Sequence, residues 1–221
     1  FNSADIGYMT ATNPLGPYTY QGPVFRNTFA QGLDNNGNNH HSIIEFKGKY
    51  YVLYHTRQLE IRMGVNGGKG YNYRSPSISE ATVNGTSITC TGSHTGVKQI
   101  ESLNPYTTVQ AETMSNQSQG IAVNGLSDTT VTGTKGSWTK VSGVNFSNGA
   151  KTLTVKACSK SGAVIKVCTG GTNGDVVTYA EIKAGSTPEE ITVPVVNSVS
   201  GNKDLYFVFS GDVTFDSWSF S

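Results

Sequence analysis

The stretch TLTVKACSKSGAVIKV, residues 152–167, decides the fold of this chain. Two runs rich in β-branched residues stand on either side of the turn-forming segment SKSG, a pattern typical of an antiparallel hairpin. Working outward, similar short runs recur between turns rich in Gly, Ser and Asn: TTVQAE, WTKVSGVNF, EEITVPVV, KDLYFVFS and VTFDSWSF. About seven to nine short strands at this spacing predict a β-sandwich or jelly roll.

The first half of the chain is also built from hairpins. SIIEFKGKYYVLYHT, residues 42–56, has two apolar runs around a Lys-Gly turn, and EATVNGTSITCTG, residues 80–92, has Asn84-Gly85 as its predicted turn. Consecutive hairpins are typical of propeller blades. No segment of a dozen residues has a helical apolar period, so the sequence predicts an all-β chain. Asn104-Pro105 interrupts the pattern and predicts two domains, residues 1–103 and 104–221.

Composition narrows the partners that this chain could have. Its 16 Lys and Arg against 15 Asp and Glu leave a formal charge of +1, which favours neither nucleic acid nor an anionic membrane as a partner. No run approaches the roughly 18 apolar residues of a membrane-spanning helix. Charged residues make up only 14% of the chain and glycines number 26, which is typical of secreted, extracellular β-proteins. A neutral ligand rich in hydroxyls is compatible with this profile.

The three cysteines predict neither a metal site nor a disulfide. Cys90, Cys158 and Cys168 have none of the spacings that a zinc site requires. If Cys158 lies beside the hairpin turn, Cys168 lies well up the partner strand, too far for a disulfide. We interpret all three as small buried apolar residues.

The second half resembles carbohydrate-binding module family 6 over residues 104–221. The resemblance depends on four motifs in order: VQAET, GSWTKVSGVNF, TLTVKACSKSGAVIKV and DLYFVFSGDVTFDSWSF. It implies a structural calcium ion held by Gln110, Glu112 and Asp216, which would tie the first and last strands together. The alternative for these three residues is ordinary polar alternation on edge strands.

The same resemblance implies a sugar-binding cleft at one loop end, formed by two aromatic rings and an Asn. Trp138 matches the first aromatic position, but the segment AGSTPEEITV has no second aromatic residue, and Thr214 stands where the family has the Asn. A second family site on the concave sheet face is the alternative. Tyr179, Tyr206 and Trp218 are candidates there, although we interpret each of them first as a core residue. A module that only packs against its enzyme is a further alternative.

The first half resembles the C-terminal part of glycoside hydrolase family 43. IGYMTATNPLGPYTYQGPVF is similar to its fourth blade, and NNHHSIIEFKGKYYVLYHTR to the start of its fifth. The resemblance implies the last blades of a partial five-bladed β-propeller, from an inverting arabinofuranosidase or xylosidase that acts on plant cell-wall arabinoxylan or xylan. Its three catalytic carboxylates belong to the first three blades, so this chain has no catalytic residue and needs the N-terminal part of the same enzyme as a partner. The remaining acids are interpreted as loop and edge carboxylates: Asp5, Asp34, Glu45, Glu60 and Glu80.

The resemblance implies that this half forms one side of an active centre. His40, with His41 as the alternate, would face a central cation or its waters; the alternative is an exposed histidine pair in an Asn-rich loop. Arg74 would contact the sugar, with Arg57 as the second candidate, because Arg donates a fixed fork of hydrogen bonds. The leading hypothesis is therefore the C-terminal piece of a glycosidase. The alternative is a non-catalytic binding or structural protein.

Overall fold

The computed structural model describes residues 4–33, 39–71, 74–147 and 149–221, and its regular structure is almost entirely β-sheet. The all-β prediction is confirmed. The chain divides into two compact units after Lys98. Residues 99–103, which precede the predicted boundary, pack with the second unit: Leu103 bridges to Val144, and Gln99 Nε2 donates to Ser142 O at 3.0 Å. Among the described residues, none forms a helix long and apolar enough to cross a membrane.

The first unit contains one six-stranded sheet in the order β1-β2-β6-β5-β4-β3. Its strands are β1 Ile6–Thr10, β2 Thr19–Phe25, β3 Ser42–Phe46, β4 Lys49–Thr56, β5 Ser75–Asn84 and β6 Ser87–Cys90. A short helix, α1 Gln58–Arg62, follows β4. The sequence did not predict α1, because five residues are too few to show a helical apolar period.

Local turn chemistry explains both hairpins of this unit. Lys47 and Gly48, between β3 and β4, have φ values of 51° and 75°, as a two-residue type I′ turn requires. In the β5–β6 hairpin Asn84 pairs with Ser87, so Gly85 and Thr86 form the turn. Gly85 supplies the positive φ of 60° at the first turn position. The turn therefore lies one residue later than predicted.

Strands β3 to β6 form an antiparallel meander of the size of one propeller blade. The β1–β2 hairpin joins this meander through a parallel pairing of Phe25 with Cys90. Phe25, Val52 and Tyr54 form the centre of the unit's core. The described residues of this unit thus form a single sheet, and the propeller stays a prediction.

The second unit is a β-sandwich, as predicted. Its strands are β7 Val109–Gln110, β8 Asn116–Gln117, β9 Ile121–Asn124, β10 Thr130–Gly133, β11 Trp138–Asn145, β12 Thr152–Cys158, β13 Ala163–Thr169, β14 Asp175–Ile182, β15 Glu189–Pro194, β16 Asn202–Phe209 and β17 Val213–Phe220. One sheet has the order β15-β12-β17-β10-β9, with β7 beside β17, and the other has the order β14-β13-β16-β11-β8.

Alternating apolar residues of both sheets fill the space between them. The rings of Phe207 from β16 and Trp218 from β17 meet with centroids 5.2 Å apart. Trp218 is only 2% exposed, so its interpretation as a core residue is confirmed. Cys158 and Cys168 are buried, Cys90 is half-buried, and all three thiols are free. Burial raises the pKa of the Cys90 thiol to about 11, which keeps it protonated and unreactive at neutral pH.

Candidate functional site

A row of four paired residues crosses the five-stranded sheet on the side away from the core. Trp138 pairs with Val208, Val208 with Lys166, and Lys166 with Tyr179. Directly paired residues of antiparallel strands share one face of a sheet. Their strand neighbours point into the core, as the buried Phe207 shows. The row therefore faces outward.

Tyr206 lies in the next row of the same surface and contacts Trp138. The two ring centroids are 5.7 Å apart, with the planes tilted by 56°. Both rings are half-buried, and Tyr179 is 51% exposed. We call this surface the aromatic face, defined by Trp138, Lys140, Lys166, Tyr179, Tyr206 and Val208. Flat, partly exposed rings of this kind can cover the apolar C–H face of a sugar ring.

An ion pair borders the aromatic face. Lys140 Nζ lies 2.7 Å from Asp204 Oδ2 and 5.8 Å from the centre of the Tyr206 ring. Gly143 N donates to Asp204 Oδ1 at 3.0 Å, within the β-bulge of β11. The hydrogen bond from Lys140 lowers the pKa of Asp204, and the same bond raises the pKa of Lys140. Asp204 thus orients Lys140 across the Tyr206 ring and neutralises it.

Trp138 begins β11 directly after the loop of residues 134–137, but it does not line the cavity found at that loop end. At that end lies a cavity of about 340 Å³, lined by Thr134, Ser186 and Thr214 among others, and no aromatic side chain lines it. The assignment of Trp138 to the loop-end cleft and its role in binding both stay predictions. The alternation of β11 contained the signal, because Val141 is buried and residues 138 and 140 must then share the outer face.

The alternative candidates for a sheet-face site are divided between the core and the surface. Trp218 lies in the core, whereas Tyr179 and Tyr206 lie on the aromatic face. Our first interpretation of these two tyrosines as core residues was wrong. Both stand in strands whose apolar residues alternate, and a polar hydroxyl at the outward position explains their placement.

The predicted calcium ligands lie where β7 meets β17. Gln110 pairs with Ser217, and Ala111 N donates to Asp216 O at 2.8 Å, so both chain ends of the sandwich meet here. Glu112 Oε2 is buried without a hydrogen-bond partner. A buried carboxylate oxygen needs a cation or a donor, so this atom fits an oxygen-coordinated ion.

Two observations bear on how such an ion would be held. The Asp216 carboxylate is 12% exposed, and its Oδ2 lies 2.6 Å from Lys156 Nζ, which leaves Oδ1 for a metal. Within residues that the structure describes, no group of three or more His, Cys, Asp or Glu side chains could hold a metal ion. The predicted set has two carboxylates and one amide, so carbonyl oxygens or waters would have to complete the shell.

In the first unit, the structure brings Arg74 and His40 together. Arg74 Nη1 lies 3.3 Å from His40 Nδ1, and His55 Nε2 lies 3.4 Å from the same atom. A guanidinium can only donate, so His40 Nδ1 accepts and Nε2 carries the proton. His40 can then donate from Nε2 to a water or a carboxylate, but that nitrogen cannot ligate a cation directly.

The other predicted residues of this unit lie outside that cluster. His41 is exposed, and Arg57 is buried at the start of α1 with only 9% exposure. Glu60, interpreted as a loop or edge carboxylate, is instead buried in α1, where its Oε2 accepts from Tyr71 N at 2.8 Å. That interpretation was wrong because α1 was not foreseen.

The remaining acids of this unit have structural contacts. Asp5 Oδ1 accepts from Asn27 N at 2.7 Å. Glu80 pairs with Lys49 at 2.9 Å, and Glu45 raises the pKa of Tyr50 by charge repulsion and a hydrogen bond. Asp34 lies outside the described residues.

A family model described as carbohydrate binding module (family 6) matches residues 110–221, from the second residue of β7 to the end of the chain. The chain belongs to carbohydrate-binding module family 6. A family 6 module from Clostridium cellulolyticum, solved in complex with xylose, covers 54% of this chain and 99% of its own, with 25% identity and a TM-score of 0.50.

Similarity extends over the first unit as well as the family 6 module. An arabinoxylan arabinofuranohydrolase from Paenibacillus polymyxa is 30% identical over 240 aligned positions, covering 100% of this chain and 37% of that protein. A glycoside hydrolase family 43 arabinoxylan arabinofuranohydrolase from Bacillus subtilis, solved with cellotetraose, has 32% identity and a TM-score of 0.87 over 99% of this chain and 47% of its own. The chain thus spans less than half the length of these two relatives.

Proposed function

We propose that this chain is the C-terminal part of a secreted glycoside hydrolase that removes arabinofuranosyl or xylosyl groups from arabinoxylan, and that its family 6 module binds the polysaccharide. The aromatic face carries the proposal for binding, because Trp138 and Tyr206 form a half-exposed platform on a module of this family. The similarity of the whole chain to arabinoxylan arabinofuranohydrolases supports the proposal for the parent enzyme.

Hydrolysis would proceed with inversion, using an acid and a base carboxylate with a water between them. We place these carboxylates in the part of the enzyme outside this chain. The contacts of the first unit support this placement, since Asp5, Glu60 and Glu80 are held by hydrogen bonds or an ion pair within that unit.

The first unit would form the last blades of a five-bladed propeller and contribute one wall of the active centre. Arg74 would donate to sugar hydroxyls, and His40 Nε2–H would donate to a water of a central cation. The fixed tautomer of His40, which follows from its contact with Arg74, supports this role. Arg57, being buried, fits sugar contact less well.

A calcium ion would bind the module through Gln110, Glu112 and Asp216. The buried Oε2 of Glu112, which has no other partner, supports the site. The ion would neutralise the carboxylates of Glu112 and Asp216 and hold the first and last strands of the sandwich together.

Binding can be tested by electrophoresis of the chain through gels that contain arabinoxylan. The wild type should be retarded, and Trp138→Ala should migrate as in a gel without polysaccharide. Phe29→Ala, which removes an exposed ring of the first unit, is the matched control and should be retarded like the wild type. Equal retardation of Trp138→Ala and the wild type would exclude Trp138 as the platform.

A non-catalytic binding protein is the second candidate. The structural contacts of the described acids in the first unit favour it. Release of arabinose or xylose by the longer parent, with none from the 221-residue chain, would support the glycosidase. Release by the 221-residue chain alone would contradict the placement of the carboxylates outside it.

A further inference from the structure

We infer that the aromatic face selects acidic xylan, and that the Lys166 ammonium group binds the carboxylate of a uronic acid side group. This inference rests on the proposed function, since it concerns the same face and adds the substrate class that the face prefers. The similarity to arabinofuranohydrolases does not assign this charge preference.

The position of Lys166 in the row is the first argument. Lys166 lies between Tyr179 on one neighbouring strand and Val208 on the other. Tyr179 and Trp138 are separated by three strand intervals, or about 14 Å between their backbones. Lys166 and Val208 form the half-buried floor between these aromatic side chains. The Lys166 ammonium group lies toward the β13–β14 turn, at Thr172 O, so a side group of a sugar chain lying across this floor would reach it.

The balance of charge on the face is the second argument. Lys140 has Asp204 as its counter-ion at 2.7 Å. Lys166 Nζ donates to the carbonyl oxygen of Thr172 at 2.7 Å, which uses one of its three N–H donors and neutralises no charge. Throughout the described ranges, no carboxylate lies within ion-pair distance of Lys166.

The acid two residues after Tyr179 on β14 does not change this balance. Glu181 stands opposite Val164, one outward position beyond the Tyr179–Lys166 pair, and lines a separate cavity beside residues 183–187. Lys166 is therefore a half-buried positive charge with two free donors. A carboxylate is a better partner for it than a neutral hydroxyl, because both Coulomb attraction and charge-assisted hydrogen bonding contribute.

Isothermal titration calorimetry with two matched ligands tests the inference. One is a xylo-oligosaccharide with a single glucuronic acid branch, and the other is the same compound with its carboxyl group reduced to an alcohol. The wild-type chain should bind the acidic ligand about three-fold more tightly than the reduced one, because one partly exposed ion pair stabilises a complex by about that factor. The preference should decrease as salt is added.

Three variants identify the residue responsible. Lys166→Gln should bind both ligands with the affinity that the wild type has for the reduced one, and Lys166→Arg should keep the preference. Lys151→Gln removes the same charge from an exposed position beside the other sheet and should behave as wild type. Circular dichroism should show an unchanged fold in Lys166→Gln, and Lys166→Arg tests the charge independently of that result.

The outcomes separate this inference from the proposed function. Equal binding of the two ligands by the wild type, or an unchanged preference in Lys166→Gln, would overturn the role of Lys166 while leaving polysaccharide binding intact. If neither ligand bound the wild type, both the proposed function of the face and this inference would be wrong.

Discussion

Asp204 accepts from Lys140 Nζ through one carboxylate oxygen and from Gly143 N through the other. The Lys140 bond lowers the folded-state pKa of Asp204 below its unfolded value of about 3.9. A lowered pKa contributes stability that is present above the unfolded pKa and is lost as the pH falls through the folded pKa.

Asp204→Asn should therefore reduce the free energy of unfolding by about 0.5 kcal/mol at pH 7, since the pair is partly exposed. The difference should disappear in acid, below the folded-state pKa of Asp204. Urea unfolding followed by tryptophan fluorescence measures this difference in free energy. Both tryptophans, Trp138 and Trp218, belong to the second unit, which also contains Asp204. A difference of the same size at acid pH would mean that charge is not the cause.

At the scale of single residues, the sequence predicts which residues belong to a site better than it predicts where they lie in the fold. Gln110, Glu112 and Asp216 were chosen together, and strand pairing brings their segments together. Motif matching assigned Trp138 to the loop-end cleft without regard to the face of the strand that the residue occupies. Strand alternation supplies that information, and Val141 in the core was sufficient to use it.

At the scale of elements, strand β10 depends on a glycine. A Cβ atom at Gly133 would overlap the ring of Phe209, at the end of β16, and would contact Ser137 Oγ, just before β11. Gly133→Ala should reduce the free energy of unfolding by about 1–3 kcal/mol through overpacking. Gly185→Ala is the control, since a Cβ there meets nothing within 4 Å. Equal stability of the two variants by urea unfolding would show that β10 can move away from Phe209.

The proposed calcium site lies where β7 pairs with β17, so we expect the module's stability to depend on calcium. Addition of EDTA should lower the melting temperature of the second unit by about 5 °C or more. Glu112→Gln should have a lower melting temperature than the wild type in calcium and should not respond to EDTA. An unchanged wild-type melting temperature in EDTA would contradict the site.

Hairpins were predictable where a local turn specified them. The Lys47-Gly48 turn required positive φ at adjacent residues, and the sequence contained a suitable pair. Helix α1 and the parallel contact of Phe25 with Cys90 were not predictable. Five residues are too few to show a helical apolar period, and the Phe25–Cys90 contact joins residues distant in the chain, which no local pattern encodes.

At the scale of the whole molecule, the second unit has a hydrophobic core of its own, formed by residues of both sheets from Val109 to Phe220. A fragment of residues 99–221 should therefore fold alone and unfold cooperatively. A fragment that begins at residue 104 lacks the Leu103 bridge to Val144 and should be less stable. Thermal unfolding of both fragments, monitored by tryptophan fluorescence, checks this; equal melting temperatures would mean that residues 99–103 add nothing.

The central claim is that this chain holds xylan on the aromatic face of its family 6 module. NMR titration of the ¹⁵N-labelled chain with a xylo-oligosaccharide tests it most directly. We predict shift changes at the Trp138 indole N–H and at the backbone amides of Lys166, Tyr179 and Tyr206, with none at Thr134, Ser186 or Thr214 around the loop-end cavity. Changes confined to the loop-end cavity, or no changes at all, would contradict the claim.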